Sequence, residues 1–241
     1  MNRIMIGVAA CCLAVTVFAL TSEEKTAAMR KRSGGIVVNY AAMKGQVLFL
    51  NTQKRVPADP LAKRIKVMAD AFMSRFELKE WENPISITNA TDTLKAAAAN
   101  AAVFIVDDPS LPATLLTAPE GNFAFINVAA LAKDGANGQK LMERTRRELW
   151  RAIGYLFTAD SFADVCVLNT VTSLEQLDNL GAEAPSQGPQ ILMHRHLGKI
   201  GVKPFQRSTY RRALEEGWAP MPTNDLQRAV YEKWMKEKGK K

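Results

Sequence analysis

Apolar positions recur along this chain with two distinct periods. Short apolar runs bounded by turn residues predict strands at Gly35–Asn39, Gln46–Asn51 and Ala102–Asp107. The last is continuously apolar and is expected in the middle of a sheet. Ile85–Thr88, Leu115–Thr117 and Asn122–Val128 read as further strands, the last two joined around Pro119-Glu120-Gly121. A different spacing links Leu61, Ile65, Met68, Phe72 and Phe76, which recur at steps of four, three, four and four. That is one apolar stripe of a helix, capped by Asp59 with Pro60 in its first turn. The Ala-rich segment Thr93–Ala101, capped by Thr91 or Asp92, predicts a short helix, and Gln139–Thr158 a long one. This order of elements describes an α/β domain with a mixed sheet packed against helices.

Beyond that domain the pattern is helical and basic. Ser208 or Thr209 starts a short helix that stops at Glu216-Gly217, and Trp218–Pro222 breaks the chain. Thr223 or Asn224 then caps a last helix with Leu226, Val230 and Trp234 on one face. From Arg195 onward twelve basic residues face five acidic ones, so this region carries most of the net charge of +8. Such an excess suits an acidic polymer, and it carries no motif for specific nucleic-acid binding.

The other end reads as a targeting segment. Met1-Asn2-Arg3 precedes an apolar run from Ile4 to Leu20, slightly shorter than the span of about 20 residues that a membrane helix needs. The sequence therefore divides into a signal peptide or N-terminal anchor (1–22), a polar linker (23–34), the α/β domain (35–189) and a basic helical extension (190–241). An exported protein is expected, periplasmic, secreted or anchored, with membrane contact only through the N-terminal segment. Two of the three cysteines, Cys11 and Cys12, lie in that segment. Cys166 then has no partner within the mature chain, so no internal disulfide is expected.

Candidate chemistry sits on the long helix. Leu149, Ala152, Ile153 and Leu156 share a core face, and Arg147, Glu148 and Arg151 occupy another flank. By spacing alone, Arg144–Glu148 (i,i+4) and Glu148–Arg151 (i,i+3) are ion pairs worth about 0.2–0.5 kcal/mol each. The stretch Arg147-Glu148-Leu149-Trp150-Arg151-Ala152-Ile153-Gly154-Tyr155-Leu156-Phe157 also keeps the frame H-E-x-x-H-x-x-G-x-x-H. Its glutamate and glycine are in place. Arginine stands at the first two ligand positions and phenylalanine at the third.

With the residues downstream, this segment resembles the archaemetzincins, a metzincin family. Cys166-Val167-Leu168 is similar to the family's C-x-M element, with leucine at the Met-turn position. Thr158 stands where the family has a cysteine, and the gap from Thr158 to Cys166 is three residues longer than the family's. Ser186-Gln187-Gly188-Pro189 lies where the family has C-x-x-C. Ser173–Asp178 and Ala124–Leu131 resemble its segments after the Met-turn and before the zinc helix. The resemblance spans Gly35 to Pro189. It implies a zincin fold, two zinc ions and aminopeptidase activity, with the long helix as the former active-site helix.

The chain departs from the family at every catalytic zinc ligand, and at the second, structural zinc site only Cys166 matches, where four ligands are needed. The resemblance therefore transfers a fold and a cleft, with neither metal nor cofactor. Glu148 keeps the vestigial general-base position, and Arg147, Arg151 and Phe157 the former zinc positions. Cys166 and Leu168 keep vestigial second-site and Met-turn positions. Two readings of Arg147 and Arg151 stand open: they neutralise Glu148 in a closed, inert cleft, the more common outcome, or they hold Glu148 and also receive an anionic group such as a peptide C-terminus. The favoured reading is an inactive archaemetzincin-like pseudoprotease that acts as a binding or scaffold protein at the cell envelope, with a peptide or an acidic polymer as its ligand and no protein partner identified. One alternative rebuilds a metal-dependent peptidase from Glu148 with His194 or His196, whose H-x-H spacing shares a face in a strand and diverges in a helix. Another is an envelope protein that binds acidic polymer through its basic tail.

Overall fold

The computed structural model describes residues 22–158, 167–181 and 184–239. The proposed targeting segment lies outside the described residues, except Ser22, and so does Cys166. In chain order the elements are α1 (Ser22–Ser33), β1 (Ile36–Asn39), β2 (Val47–Asn51), α2 (Ala58–Phe72), β3 (Phe76–Glu80), α3 (Ala90–Ala96), β4 (Ala101–Val106), β5 (Leu115–Ala118), β6 (Phe123–Asn127), α4 (Val128–Leu131), α5 (Gly138–Thr158), α6 (Leu174–Asp178), α7 (Gln187–Lys199), β7 (Gln206–Thr209), α8 (Tyr210–Glu215) and α9 (Asp225–Lys238). They form two units, Tyr40–Gln206 and a second assembled from both ends of the chain, through Asn39 and from Arg207.

The larger unit is built on a five-stranded sheet of order β3-β2-β4-β6-β5. β2 pairs in parallel with β3 and β4, and β4 pairs in parallel with β6. β5 is antiparallel to β6, with Leu115 opposite Ile126 and Ala118 opposite Phe123. β2, β4 and β6 are buried at every residue, as apolar runs covered on both faces must be. Alternate residues serve opposite faces. Val47, Phe49, Val103, Ile105, Ala124 and Ile126 pack with α2 and α5. Leu48, Leu50, Phe104, Val106 and Phe125 pack with Ala90 and Leu94 of α3 and with Trp81.

Three sequence expectations change here. The stripe through Phe76 is broken at Met73, whose left-handed backbone (φ 50°) ends α2. Phe76 instead begins β3, the strand the pattern missed, and stacks on Phe72 with 5.5 Å between ring centroids. The strand expected at Ile85–Thr88 is absent. There Asn89 accepts from the Ser86 amide (2.8 Å) and donates to the Pro84 carbonyl (3.1 Å), so a side chain closes a turn in place of a ladder. The helix expected at Thr93–Ala101 is shorter. Asn100 bonds the Gln46 amide (3.0 Å) and the Ile200 carbonyl (2.8 Å), and Ala101 belongs to β4.

The smaller unit holds α1, β1, α8 and α9, and β1 pairs with β7. Its core is Val37, Tyr210, Ala213, Leu214 and Val230, with Trp218 and Trp234 packed against it. Gly34 (φ 71°) lies so close to Tyr210 that a Cβ would stand 2.9 Å from the tyrosine Cβ. The segment read as a linker is therefore largely helical. Its Glu, Lys, Ala and Arg content favours a helix, although it lacks an apolar stripe. The boundary expected at 189/190 falls inside α7, whose Pro189, Met193 and Leu197 are buried.

Candidate functional site

Helix α5 lays Leu149, Ala152, Ile153 and Leu156 into the core and carries Glu148 and Arg151 beside them, also buried. The Glu148 carboxylate accepts from Thr114 Oγ1 at 2.9 Å and from Arg151 Nε at 3.0 Å. Arg151 Nη1 donates to the carbonyls of Val167 (3.1 Å) and Asn169 (2.5 Å). Its guanidinium lies 5.1 Å from the Tyr155 ring centroid, and the Tyr155 hydroxyl reaches the Leu168 carbonyl at 2.8 Å. The segment 167–169 is thus tied to α5 by charge-assisted bonds. Burial raises the Glu148 carboxyl above the ordinary glutamate range, against the opposing pull of Arg151 and Thr114.

Beneath Leu168 the helix carries Gly154. A Cβ there would stand 2.1 Å from Leu168 Cδ2, so only glycine lets the segment lie this close.

A cleft of about 650 Å³ opens over this network. Thr114, Leu115 and Thr117 line one wall, along β5, the sheet's edge strand. Thr170, Thr172, Leu174, Leu177, Ala130, Lys133, Arg151 and Tyr155 also line the cleft. Asn127 holds the strand-side approach. Its amide donates to the carbonyls of Asp108 (2.9 Å) and Leu111 (3.1 Å), and its carbonyl accepts from the Ala129 amide (3.1 Å), capping α4.

Arg144 holds two flanking segments together. It is fully buried and binds Asp134 after α4 (2.7 and 2.8 Å), Asp178 of α6 (2.7 and 2.6 Å) and the Leu131 carbonyl (2.7 Å). Those bonds hold both aspartates below the usual carboxylate range. Arg144 therefore does not pair with Glu148 as the helix spacing suggested, because two acids brought by the fold take its whole guanidinium. Spacing along α5 carries no signal for this clamp.

Structural comparison places this geometry among known folds. The chain is similar to archaemetzincin from Methanopyrus kandleri, with a TM-score of 0.50 and 17% identity over 64% of this chain and 96% of that one. The fold is zincin-like. It is also similar to a zinc-dependent peptidase from Methanocorpusculum labreanum (strain Z), with a TM-score of 0.45 and 12% identity over 62% of this chain and 100% of that one. No family model matches the sequence. No curated protein matches it.

Within the zincin-like fold, the positions picked out by the motif do not converge. Arg151 lines the cleft, but Arg147 borders a separate concavity of about 150 Å³ with Arg64, Glu143 and Arg146. Glu148 is held by Thr114 and Arg151, not between two arginines. Phe157 is buried and stacks on His196 at 5.5 Å. The reason is that α5 runs unbroken to Thr158. Six residues of helix place Phe157 about 240° round from Arg151. Leu168 is the motif residue that does meet the helix, through Gly154.

Zinc needs lone-pair donors from His, Cys, Asp or Glu. A guanidinium is a cation without a free donor, and phenylalanine has none, so these positions do not fit the metal. His194 packs edge-on against Phe72 (5.0 Å) and His196 on Phe157. Both are on α7, a helix, where adjacent-but-one rings diverge. Among the described residues no group of three His, Cys, Asp or Glu is placed to hold a metal ion.

Proposed function

We propose that this protein is a zincin-fold binding protein, a pseudoprotease whose cleft holds an extended peptide without hydrolysing it. One observation carries the reading. The side chain at the second ligand position of the motif, Arg151, is spent on Glu148 and on the carbonyls of Val167 and Asn169. Glu148, the residue that would activate a metal-bound water, has both oxygens engaged. The edge strand β5 faces the cleft and offers backbone groups for strand addition, so affinity needs no metal. Export to the cell envelope is part of the proposal, motivated by Met1-Asn2-Arg3 and the apolar run after it.

The test is metal analysis of the purified full chain together with peptide binding before and after chelation. Peptide binding that survives chelator, with zinc well below one ion per chain, supports a metal-free binding cleft. Stoichiometric zinc whose removal abolishes peptide hydrolysis overturns it. If that zinc were then lost in His194→Ala or His196→Ala, a rebuilt metal site would replace this reading.

A further inference from the structure

Among the described residues that line the cleft, the charged side chains are Lys133 and Arg151, both cationic. Thr114, Thr117, Thr170 and Thr172 also line it; the Thr114 hydroxyl donates to Glu148 (2.9 Å) and that of Thr172 to Gln176 (3.0 Å), so toward a ligand these two serve as acceptors. The nearby carboxylates among the described residues are already engaged. Glu148 is buried and bound by Thr114 and Arg151. Asp134 and Asp178, beside the wall-forming segments, are held by Arg144 and approached by Lys140 at 3.2 and 3.6 Å. Arg151 is nearly buried and spends Nε and Nη1 inside the protein, whereas Lys133 is exposed on the rim.

We infer that the cleft prefers a peptide bearing a carboxylate, which Lys133 receives while the threonine hydroxyls bond the adjoining chain. Charge complementarity carries this: among the described lining residues a ligand carboxylate meets the positive charge of Lys133, and a ligand ammonium meets no lining charge of the opposite sign. The inference rests on the cleft being a peptide site. The carboxylate is either an acidic side chain or a free C-terminus, and the two share the same chemistry at Lys133.

The experiment uses unlabelled, N-acetylated peptides on one Val/Ser/Ala host, measured by titration calorimetry with the full chain at low salt. Three are amidated and differ by Glu, Gln or Lys at the centre, and a fourth is the Gln peptide with a free C-terminus. At least one carboxylate peptide is expected to bind roughly three- to five-fold tighter than the amidated Gln peptide, and the Lys peptide weakest. Lys133→Gln is expected to abolish that difference, and 0.5 M salt to shrink it. A gain confined to the Glu peptide assigns the side chain, and one confined to the free C-terminus assigns the terminus; either supports the inference. Equal affinity for all four, or a preference that survives Lys133→Gln, overturns the carboxylate selectivity and leaves the peptide reading standing. Failure of every peptide to bind overturns both.

Discussion

The Glu148–Arg151 pair is the residue-scale question, because an acid and a base are paired at a buried site. Removing one partner of such a pair strands the other, which typically costs about 3–5 kcal/mol, whereas replacing both costs much less. Arg151→Met is therefore expected to lower unfolding free energy by about that amount in urea titrations at neutral pH. The double variant Glu148→Gln/Arg151→Met should lose less than the sum of the single losses, and strict additivity would show that the pair is not coupled. The pH dependence has a definite sign. Burial raises the carboxyl of Glu148 in the folded chain, so the folded state holds its proton more tightly than the unfolded state does. This residue's contribution to stability then falls as pH rises from the ordinary glutamate value of 4.5 through the raised one. Glu148→Gln should flatten that part of the stability profile. Asp178 acts oppositely. Arg144 lowers its carboxyl, so its contribution is present above 3.8 and is lost as pH falls through the lowered value.

At the scale of elements, the decisive contact is between α5 and the segment Val167–Asn169. Gly154 admits Leu168 against the helix backbone, and a methyl group added there would stand 2.1 Å from Leu168 Cδ2. Gly154→Ala should destabilise by about 1–3 kcal/mol through overpacking. Leu168→Ala should cost about 2–5 kcal/mol through the cavity it leaves. The double variant is expected to be more stable than the sum of the two predicts, since each change supplies what the other lacks. Chemical denaturation of the three variants checks this, and simple additivity would mean that the segment shifts freely. The glycine and the leucine were both visible in the motif frame. The arginine clamp beside them was not, because Asp134, after α4, and Asp178, at the end of α6, are separated from Arg144 by 10 and 34 residues.

For the whole molecule, the three core clusters divide by unit. The two flanking the five-stranded sheet use residues from Val47 to Val202, and the third uses Val37 with residues from Tyr210 onward. Ending the chain after Gln206 should therefore keep the larger unit's cooperative thermal transition, while α1, deprived of α8 and α9, becomes open to trypsin at Arg30–Arg32. Thermal melts and mass-mapped limited digestion check both parts, and loss of the transition would show that the larger core is incomplete alone. A cut after Gln190 is a poor test of the basic tail, since it removes the buried Met193, Leu197 and Val202. Several of the tail's charges are also answered locally, Arg211 by Glu215 and Glu237, and Arg212 by Glu216. Composition reads these as excess positive charge, because a sum of charges holds no distances.

What the sequence determined by itself was the strands at β2, β4 and β6, the long helix and the absence of the three ligand histidines from the motif frame. Those follow from periodicity and side-chain chemistry, which are local. Only the tertiary structure decided which motif residues meet. The continued α5 turns Phe157 away from Arg151, Arg147 departs to another surface, and Thr114, outside the motif, becomes a partner of Glu148. Those outcomes depend on which segments the sheet and helices bring within hydrogen-bond distance, and spacing along one chain does not contain that distance.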